Sequence, residues 1–264
     1  MNDQVDLTQQ ILQDVLAGAP FNAYGVTPLR SVAQAYALQD SLTAALVETD
    51  SHGPVAGWKI AANSVQLMER FKLTEPATGR VFSNQRRNSP ATLKVGDYTE
   101  FAFEPEIVAV LKTTLPPENA PFSTEDVIAA IDRFAPGMEL LDMRQTDMPN
   151  THIPDAIAQN ISNVGAVLGG PGIAPENLTP DTLRTVITID GKAQHDVTGA
   201  APQNPIEAVT WLANHLVSRG LMLEAGQIVM CGTHSPIWYH KGAGEIEVQM
   251  SGLGTVSVTM KALP

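Results

Sequence analysis

The apolar positions follow helical spacing near the start of the chain and strand spacing through most of the remainder. The spacing predicts one helix over residues 7–16 and a second over residues 32–47, the second after a start signal at Thr27-Pro28. Residues 55–63 are typical of a strand, and Ser64 is a suitable N-cap for a short helix that follows. The N-terminal part is therefore predicted to be mostly helical.

Later segments carry turn and capping signals. Ser123 begins a helix in capping-box style, and Asn204 with Pro205 begins another that Gly220 ends. Asp190-Gly191 is a two-residue hairpin turn, and two alternating strands near the C-terminus are expected to pair as a hairpin. The last third is therefore predicted to be rich in β-strand.

Two glutamates stand inside the apolar run 101–110. Side chains alternate in a strand, so Glu104 and Glu106 share a face with Ala102 and Val108. Two ionised carboxylates this close in a partly dry site repel, so one takes up a proton or both share a cation. The alternative is a solvent-facing edge strand, which Pro105 permits because it donates no ladder hydrogen bond.

A third acid favours the cation. Glu139 shares its predicted strand face with Leu141 and Met143, where burial favours an aliphatic residue. Three glutamates in two apolar strands predict a divalent metal site, with Mg2+ first and Mn2+ or Ca2+ behind it, because all ligands are oxygens. The spacing of His and Cys disfavours zinc.

Other polar residues are candidates for contacts to a ligand. Lys59 lies in the apolar strand 55–63, where it either extends its ammonium to solvent or serves a nearby carboxylate site. Asn160 and Ser162 lie in a polar loop, and Gly232 and Thr233 lie in a small-residue turn whose backbone amides could receive an anion. Beyond the site, Asp142 and Arg144 are expected to form an ion pair on the face opposite Glu139.

Composition narrows the class. The 264 residues are 44% hydrophobic with no run long enough to cross a bilayer, which predicts a soluble protein without a membrane partner. The net charge of -12 and the scattered Lys and Arg disfavour nucleic acid. An acidic N-terminus without the order of a secretory signal, together with the lone Cys231, predicts a cytoplasmic location.

The order of motifs resembles the fumarylacetoacetate hydrolase superfamily, and within it the 2-keto-4-pentenoate hydratase and oxalocrotonate decarboxylase branch. The resemblance covers nearly the whole chain. It rests on these segments: Ala35-Tyr-Ala-Leu-Gln39, Gly57-Trp-Lys-Ile60, Phe103-Glu-Pro-Glu-Ile107, Met138-Glu-Leu-Leu-Asp-Met-Arg144, Asn160-Ile-Ser162, Asn204-Pro205, Ala208-Val-Thr-Trp-Leu-Ala213 and Ala225-Gly-Gln-Ile-Val229.

The resemblance implies an α+β fold, mostly β, in which a mixed β roll or sandwich carries flanking helices. It implies a single catalytic domain over 1–264, with a helical part, 1–75, packed on the β-rich core. Glu104, Glu106 and Glu139 fall on the family's Mg2+ or Mn2+ ligands, and Lys59 falls on the family lysine. Family members commonly assemble as homo-oligomers.

The implied activity is that of a metal-dependent hydratase of a small 2-hydroxydienoic or 2-oxo-enoic acid, of the kind used in aromatic-ring breakdown. The chain departs from the hydratase pattern at Pro76-Ala-Thr-Gly79, where relatives have Asp and this chain has Ala77. That difference keeps open a 2-oxo-3-hexenedioate decarboxylase or another enolate-forming lyase or tautomerase. It also keeps open a non-catalytic protein that binds the metal and an acid.

Overall fold

The structure, a computed structural model, describes residues 2–24 and 31–262. These residues form six α-helices: α1 Asn2–Leu16, α2 Val32–Val47, α3 Val65–Phe71, α4 Thr124–Ala130, α5 Ile153–Ala158 and α6 Pro205–Ser218. Their fourteen strands are β1 Val55–Ala61, β2 Ala77–Phe82, β3 Arg86–Asn88, β4 Ala91–Lys94, β5 Phe101–Leu111, β6 Ile131–Asp142, β7 Asn163–Leu168, β8 Gly170–Pro171, β9 Arg184–Ile189, β10 Lys192–Thr198, β11 Ile228–Thr233, β12 Trp238–Tyr239, β13 Gly244–Met250 and β14 Gly254–Lys261.

The larger sheet is built around two long antiparallel strands. Its order is β2-β1-β11-β5-β6-β7-β3, with β12 added to the start of β5. Apolar residues occupy both faces of β5 and β6, as expected for central strands covered on each side. One face of this pair is the place where acidic side chains interrupt the apolar pattern.

The smaller sheet packs its inner face against the other face of β5 and β6. Its order is β10-β9-β13-β14-β4, with β8 paired to β14. Phe103 and Leu140 from the larger sheet belong to the same buried cluster as Val248 and Val258 from the smaller one. The two sheets therefore form a sandwich with one main core between them.

The helices flank the sheets, and one buried amide ties three elements together. Gln39 of α2 is fully buried and donates from Nε2 to the carbonyls of Thr78 in β2, at 2.9 Å, and Ile157 in α5, at 2.8 Å. Its Oε1 accepts from Arg80 at 2.6 Å. These bonds satisfy polar groups that have no contact with water.

Most of the predicted local signals are confirmed. Helix α2 spans the predicted residues, although its N-cap is Ser31, and the Thr27-Pro28 start signal lies outside the described residues. The capping box at Ser123 forms, and Asn204 caps α6. Asp190 and Gly191, both at positive φ, connect β9 to β10. The predicted mixed, strand-rich architecture with flanking helices is confirmed.

The predicted ion pair between Asp142 and Arg144 is wrong. The Asp142 carboxylate accepts the backbone N–H groups of Thr99 and Glu100, at 2.9 and 2.8 Å. The Arg144 guanidinium donates instead to Gln159 Oε1, at 2.6 Å, and to the Ala19 carbonyl, at 3.2 Å. Strand β6 ends at Asp142, and Arg144 has a φ of 44°, so alternation along a strand no longer sets its direction.

None of the helices in the described part of the chain is both long enough and apolar enough to cross a membrane.

We expect Gln39→Leu to lower the free energy of unfolding by about 2–4 kcal/mol, because two buried carbonyls and a guanidinium N–H lose their partner. Urea unfolding followed by circular dichroism measures the loss. Gln13→Leu, an exposed glutamine of α1, is the control and should change the value by less than about 0.5 kcal/mol. Equal losses in the two variants would contradict the role given to Gln39.

Candidate metal centre and active site

Three glutamates converge on one face of the larger sheet. Glu104 in β5 lies directly opposite Glu139 in β6, and Glu106 lies two residues further along β5 on the same face. A carboxylate oxygen from each can be chosen so that all three lie within 4.8 Å of one another. The three predicted ligands are therefore brought together by strand alternation and by the register of β5 with β6.

Lys59 reaches the same cluster from a neighbouring strand. Strand β1 pairs with β11, which pairs with β5, so Lys59 lies two strands away from the glutamates. Its Nζ lies 2.9 Å from Glu139 Oε1, with 3% and 1% of the two side chains exposed. Gly79 lies opposite Lys59 on β2, and a Cβ there would come within 3.2 Å of the Lys59 stem. The ammonium therefore points to the acids and not to solvent.

Burial and mutual repulsion make the cluster electrostatically unusual. Burial, then the Glu139 charge, raises the pKa of Glu104 to about 8. The same two causes raise the pKa of Glu106 well above its usual value. Burial acts to lower the pKa of Lys59, but the charges of Glu139 and Glu104 outweigh it, so the pKa is raised. Lys59 thus stays charged and offsets only part of the negative charge.

Two further donors hold the carboxylates in place. The backbone N–H of Gly232 donates to Glu106 Oε2 at 2.6 Å. The Asn163 amide donates to Glu139 Oε1 at 2.8 Å. With a formal charge of three carboxylates against one ammonium, the donor set fits a hard divalent cation, which all-oxygen ligation selects.

A cavity of about 420 Å³ opens over the cluster, which is within the usual size range of ligand sites. Its polar lining comes from Lys59, Glu104 and Glu106, together with Asn63, Ser162 and Thr233. The remaining wall is largely apolar and comes from α3, the end of β6, the segment after it, and the turn before β12. The site therefore combines a charged floor with an apolar enclosure.

The other predicted contact residues separate into two groups. Ser162 and Thr233 line the cavity, and Thr233 lies opposite Glu106 in the strand register. Asn160 is not part of the lining, because its side-chain amide bonds the backbone N–H and carbonyl of Arg80 at 2.7 and 2.9 Å. Gly232 is likewise outside the lining, and its N–H is used by Glu106.

The backbone around the cavity adopts uncommon conformations. Ala62, Ile161 and Ser162 have φ values of 56°, 49° and 57°. A β-branched residue such as Ile161 rarely adopts this region, and strain of this kind concentrates at functional sites. The hydrogen bonds of Asn160 to β2 hold this turn against the sheet.

Sequence reasoning missed three polar residues near the site. Asn63 lines the cavity and donates to the Cys231 carbonyl at 2.9 Å. Asn163 bonds Glu139, and Arg70 lies at the cavity wall, where its guanidinium donates to the Met148 carbonyl at 2.9 Å. A polar residue at the first position of an apolar strand was the available signal for Asn163, whereas Arg70 carries no local signal.

Comparisons with known proteins agree with this geometry. The 2-keto-4-pentenoate hydratase of Paraburkholderia xenovorans (strain LB400) is 27% identical over 258 residues, covering 95% of this chain and 92% of the relative. The structure of 4-oxalocrotonate decarboxylase from Pseudomonas putida G7 complexed with magnesium and adipate matches with a TM-score of 0.87 at 24% identity, over 99% of this chain and 98% of that chain. The calcium and acetate complex of that decarboxylase matches with a TM-score of 0.86 at 25% identity, over 100% of this chain and 98% of that one.

These structures show that the fold is shared along the length of the chain, as the sequence resemblance implied. A family model, described as fumarylacetoacetate (FAA) hydrolase C-terminal, matches residues 58–261, which include all three glutamates and Lys59. Since that match covers most of the 264 residues, the chain belongs to the fumarylacetoacetate hydrolase family.

Proposed function

We propose that this chain is a lyase, a divalent-metal-dependent hydratase of a small 2-hydroxydienoic or 2-oxo-enoic acid. The observation that carries the proposal is the cluster of Glu104, Glu106, Glu139 and Lys59 at the floor of a cavity with apolar walls. The similarity to a 2-keto-4-pentenoate hydratase over nearly the whole of both chains supports it.

In this proposal Glu104, Glu106 and Glu139 hold Mg2+ or Mn2+. When bound, the cation supplies positive charge where a 2-oxo acid develops negative charge as protons move along its carbon chain. Gly232 and Asn163 orient two of the ligands through the hydrogen bonds described above, which leaves the third carboxylate, Glu104, free of a backbone donor among the described contacts. Such orienting contacts commonly tune a metal site.

Lys59 is the proposed catalytic residue. Its ammonium is buried, held at Glu139 and next to the cavity, so it is placed to pair with a substrate carboxylate or to move a proton. Ser162 and Thr233 are proposed to contact the substrate, because both lie on the cavity wall. Asn160 and Gly232 contribute through Arg80 and Glu106, not through direct contact.

A decarboxylase is the second candidate, favoured by one observation. Ala77, where the hydratase pattern has Asp, is 1% exposed and pairs with Ala61 in the sheet, so β2 offers no acid at this position. Loss of CO2 from a 2-oxo acid needs the same stabilisation of negative charge as the addition of water.

The test that separates these functions is an assay of purified protein with Mg2+. We expect turnover of 2-hydroxypenta-2,4-dienoate, seen as loss of its conjugated absorbance, with mass spectrometry showing the mass of the acid increased by one water. Release of CO2 from 2-oxo-3-hexenedioate in place of hydration would favour the decarboxylase. No turnover of either acid, with binding retained, would favour the non-catalytic alternative.

Three further statements remain predictions. We propose that residues 1–264 act as a single catalytic domain, that the enzyme is cytoplasmic and that it assembles as a homo-oligomer. Size-exclusion chromatography with light scattering tests the last of these.

We expect Glu106→Gln to weaken Mg2+ binding by at least roughly tenfold, because it removes a charged ligand. In chelator the same variant should melt at a higher temperature than the wild type, because one of three mutually repelling buried carboxylates is gone. Calorimetric titration and thermal melts measure the two effects. Glu247→Gln, an exposed strand glutamate, is the control and should change neither.

The sign of the pH dependence follows from the raised pKa values. A carboxyl with a folded-state pKa near 8 and an unfolded value near 4.5 binds more protons in the folded state between those pH values, so stability falls as pH rises through this range. The metal-free wild type should lose up to roughly 1.4 kcal/mol per pH unit for each such carboxyl, and Glu106→Gln should lose less. Burial lowers the pKa of His234 to about 4, which opposes this trend below pH 6.5, so the comparison belongs between pH 7 and 8. A metal-free variant that is less stable than the wild type throughout that window would contradict the repulsion argument.

We expect Lys59→Met to lower kcat/KM by roughly 10²-fold or more, the usual scale for a lost acid-base group, while Mg2+ binding persists. Methionine keeps much of the length of the stem, so the loss reports on the ammonium. Steady-state kinetics at saturating Mg2+ measure it, and Lys112→Met, an exposed lysine, is the control. Near-normal kcat/KM in Lys59→Met would assign Lys59 a structural role only.

A further inference from the structure

The three glutamates lie between two different apolar regions of one sheet face. On one side, Val108 and Ala135 pack with Met230 into a closed cluster of buried residues. On the other side, Ala102 and Leu141 lie opposite each other in the strand register. The apolar surface on this second side opens to the cavity, because Leu141 and Met143 line it.

This second region runs away from the carboxylates in one direction. Leu141 and Met143 follow Glu139 by two and four residues, which at about 3.4 Å per residue places them roughly 7 and 13 Å along the chain. Met148 and Ile237 pack against them. We call Leu141, Met143, Met148 and Ile237 the apolar channel. A ligand with its acid group at the glutamates and Lys59 can extend only along this channel, because the other side is filled.

The cavity is larger than a five-carbon acid requires. A 2-hydroxypentadienoate has eight non-hydrogen atoms, and at roughly 30 Å³ for each, the share of a water molecule, it needs ~240 Å³. The cavity of about 420 Å³ therefore has room for further carbon atoms.

The far end of the cavity offers little to a second carboxylate. Among the described lining residues the only Lys, Arg or His side chains are Lys59 and Arg70. Arg70 is exposed, donates to the Met148 carbonyl, and stacks over the Phe71 ring at 5.2 Å. An exposed ion pair contributes little, whereas a carboxylate within the apolar channel would lose its hydration without a partner.

From these observations we propose that the preferred substrate is a monocarboxylic 2-hydroxydienoic or 2-oxo acid with an apolar tail of roughly three or more carbons beyond the five-carbon head. The head lies at the glutamates and Lys59, and the tail lies along the apolar channel. This inference rests on the proposed function and adds the class of substrate.

The test compares acids of different length and end group. We expect kcat/KM for 2-hydroxyocta-2,4-dienoate to exceed that for 2-hydroxypenta-2,4-dienoate by at least tenfold, since each buried methylene contributes a factor of about four. The octadienedioate, with a terminal carboxylate on the same carbon chain, should be the poorer eight-carbon substrate. In calorimetry with Mg2+, 2-oxooctanoate should bind at least tenfold more tightly than 2-oxopentanoate.

Variants locate the tail. Ile237→Trp narrows the channel, and we expect it to reduce the ratio of octadienoate to pentadienoate kcat/KM at least tenfold. Ile206→Trp changes an isoleucine of similar burial on α6 that does not line the cavity, and the ratio should stay at the wild-type value. Thermal melts show whether each variant is folded, and the comparison of acids on the wild type needs no variant.

Two results would overturn the proposal. One is a five-carbon acid that binds and turns over as well as the eight-carbon acid. The other is a preference for the dioate that Arg70→Met removes, which would assign Arg70 to a second carboxylate, the end group that adipate presents in the Pseudomonas putida G7 structure. Tight Mg2+-dependent binding of 2-oxooctanoate with no turnover of any dienoate would instead contradict the proposed function and leave the tail assignment standing.

Discussion

The repulsion among three buried carboxylates is the interaction around which this molecule is arranged. Glu106 and Glu139 are each 1% exposed, and the pKa of Glu104 is raised to about 8. Charges in such a place are stable only with compensation, and the protein supplies one ammonium, from Lys59, and two neutral donors, from Gly232 and Asn163. Charge still uncompensated by the chain is what makes the cluster suited to a cation.

The rest of the fold keeps this cluster together against its own repulsion. Strands β5 and β6 pair over almost their full length, and their opposite faces are buried against the smaller sheet. A one-residue slip would move the glutamates into that core and the core residues to the cavity. The stability of the sandwich thus supplies the free energy that holds the acids in place, and stability and function draw on the same strand pair.

The cavity divides the work between polar and apolar surface. Polar groups occupy the floor, where the charge of an acid has to be met, and apolar side chains enclose the remainder, which strengthens each electrostatic interaction by excluding water. The strained turn at Ile161 and Ser162 closes one side and is held to β2 by Asn160. A residue outside the cavity can therefore matter to the site as much as one that lines it.

The sequence alone determined the features that depend on near neighbours in the chain. Alternation along a strand placed Glu104 and Glu106 on one face, capping residues located α4 and α6, and Asp190-Gly191 located a hairpin, since each rests on local geometry. The pairing of Glu104 with Glu139 required the register of β5 with β6, and the contact of Lys59 with Glu139 required the order of β1, β11 and β5. Only the tertiary structure decided that Arg144 turns away from Asp142, that Asn160 bonds Arg80, and that Arg70 reaches the cavity wall. These contacts join residues far apart in the chain, and their directions follow from the packing of whole elements, which the period of a local pattern does not contain.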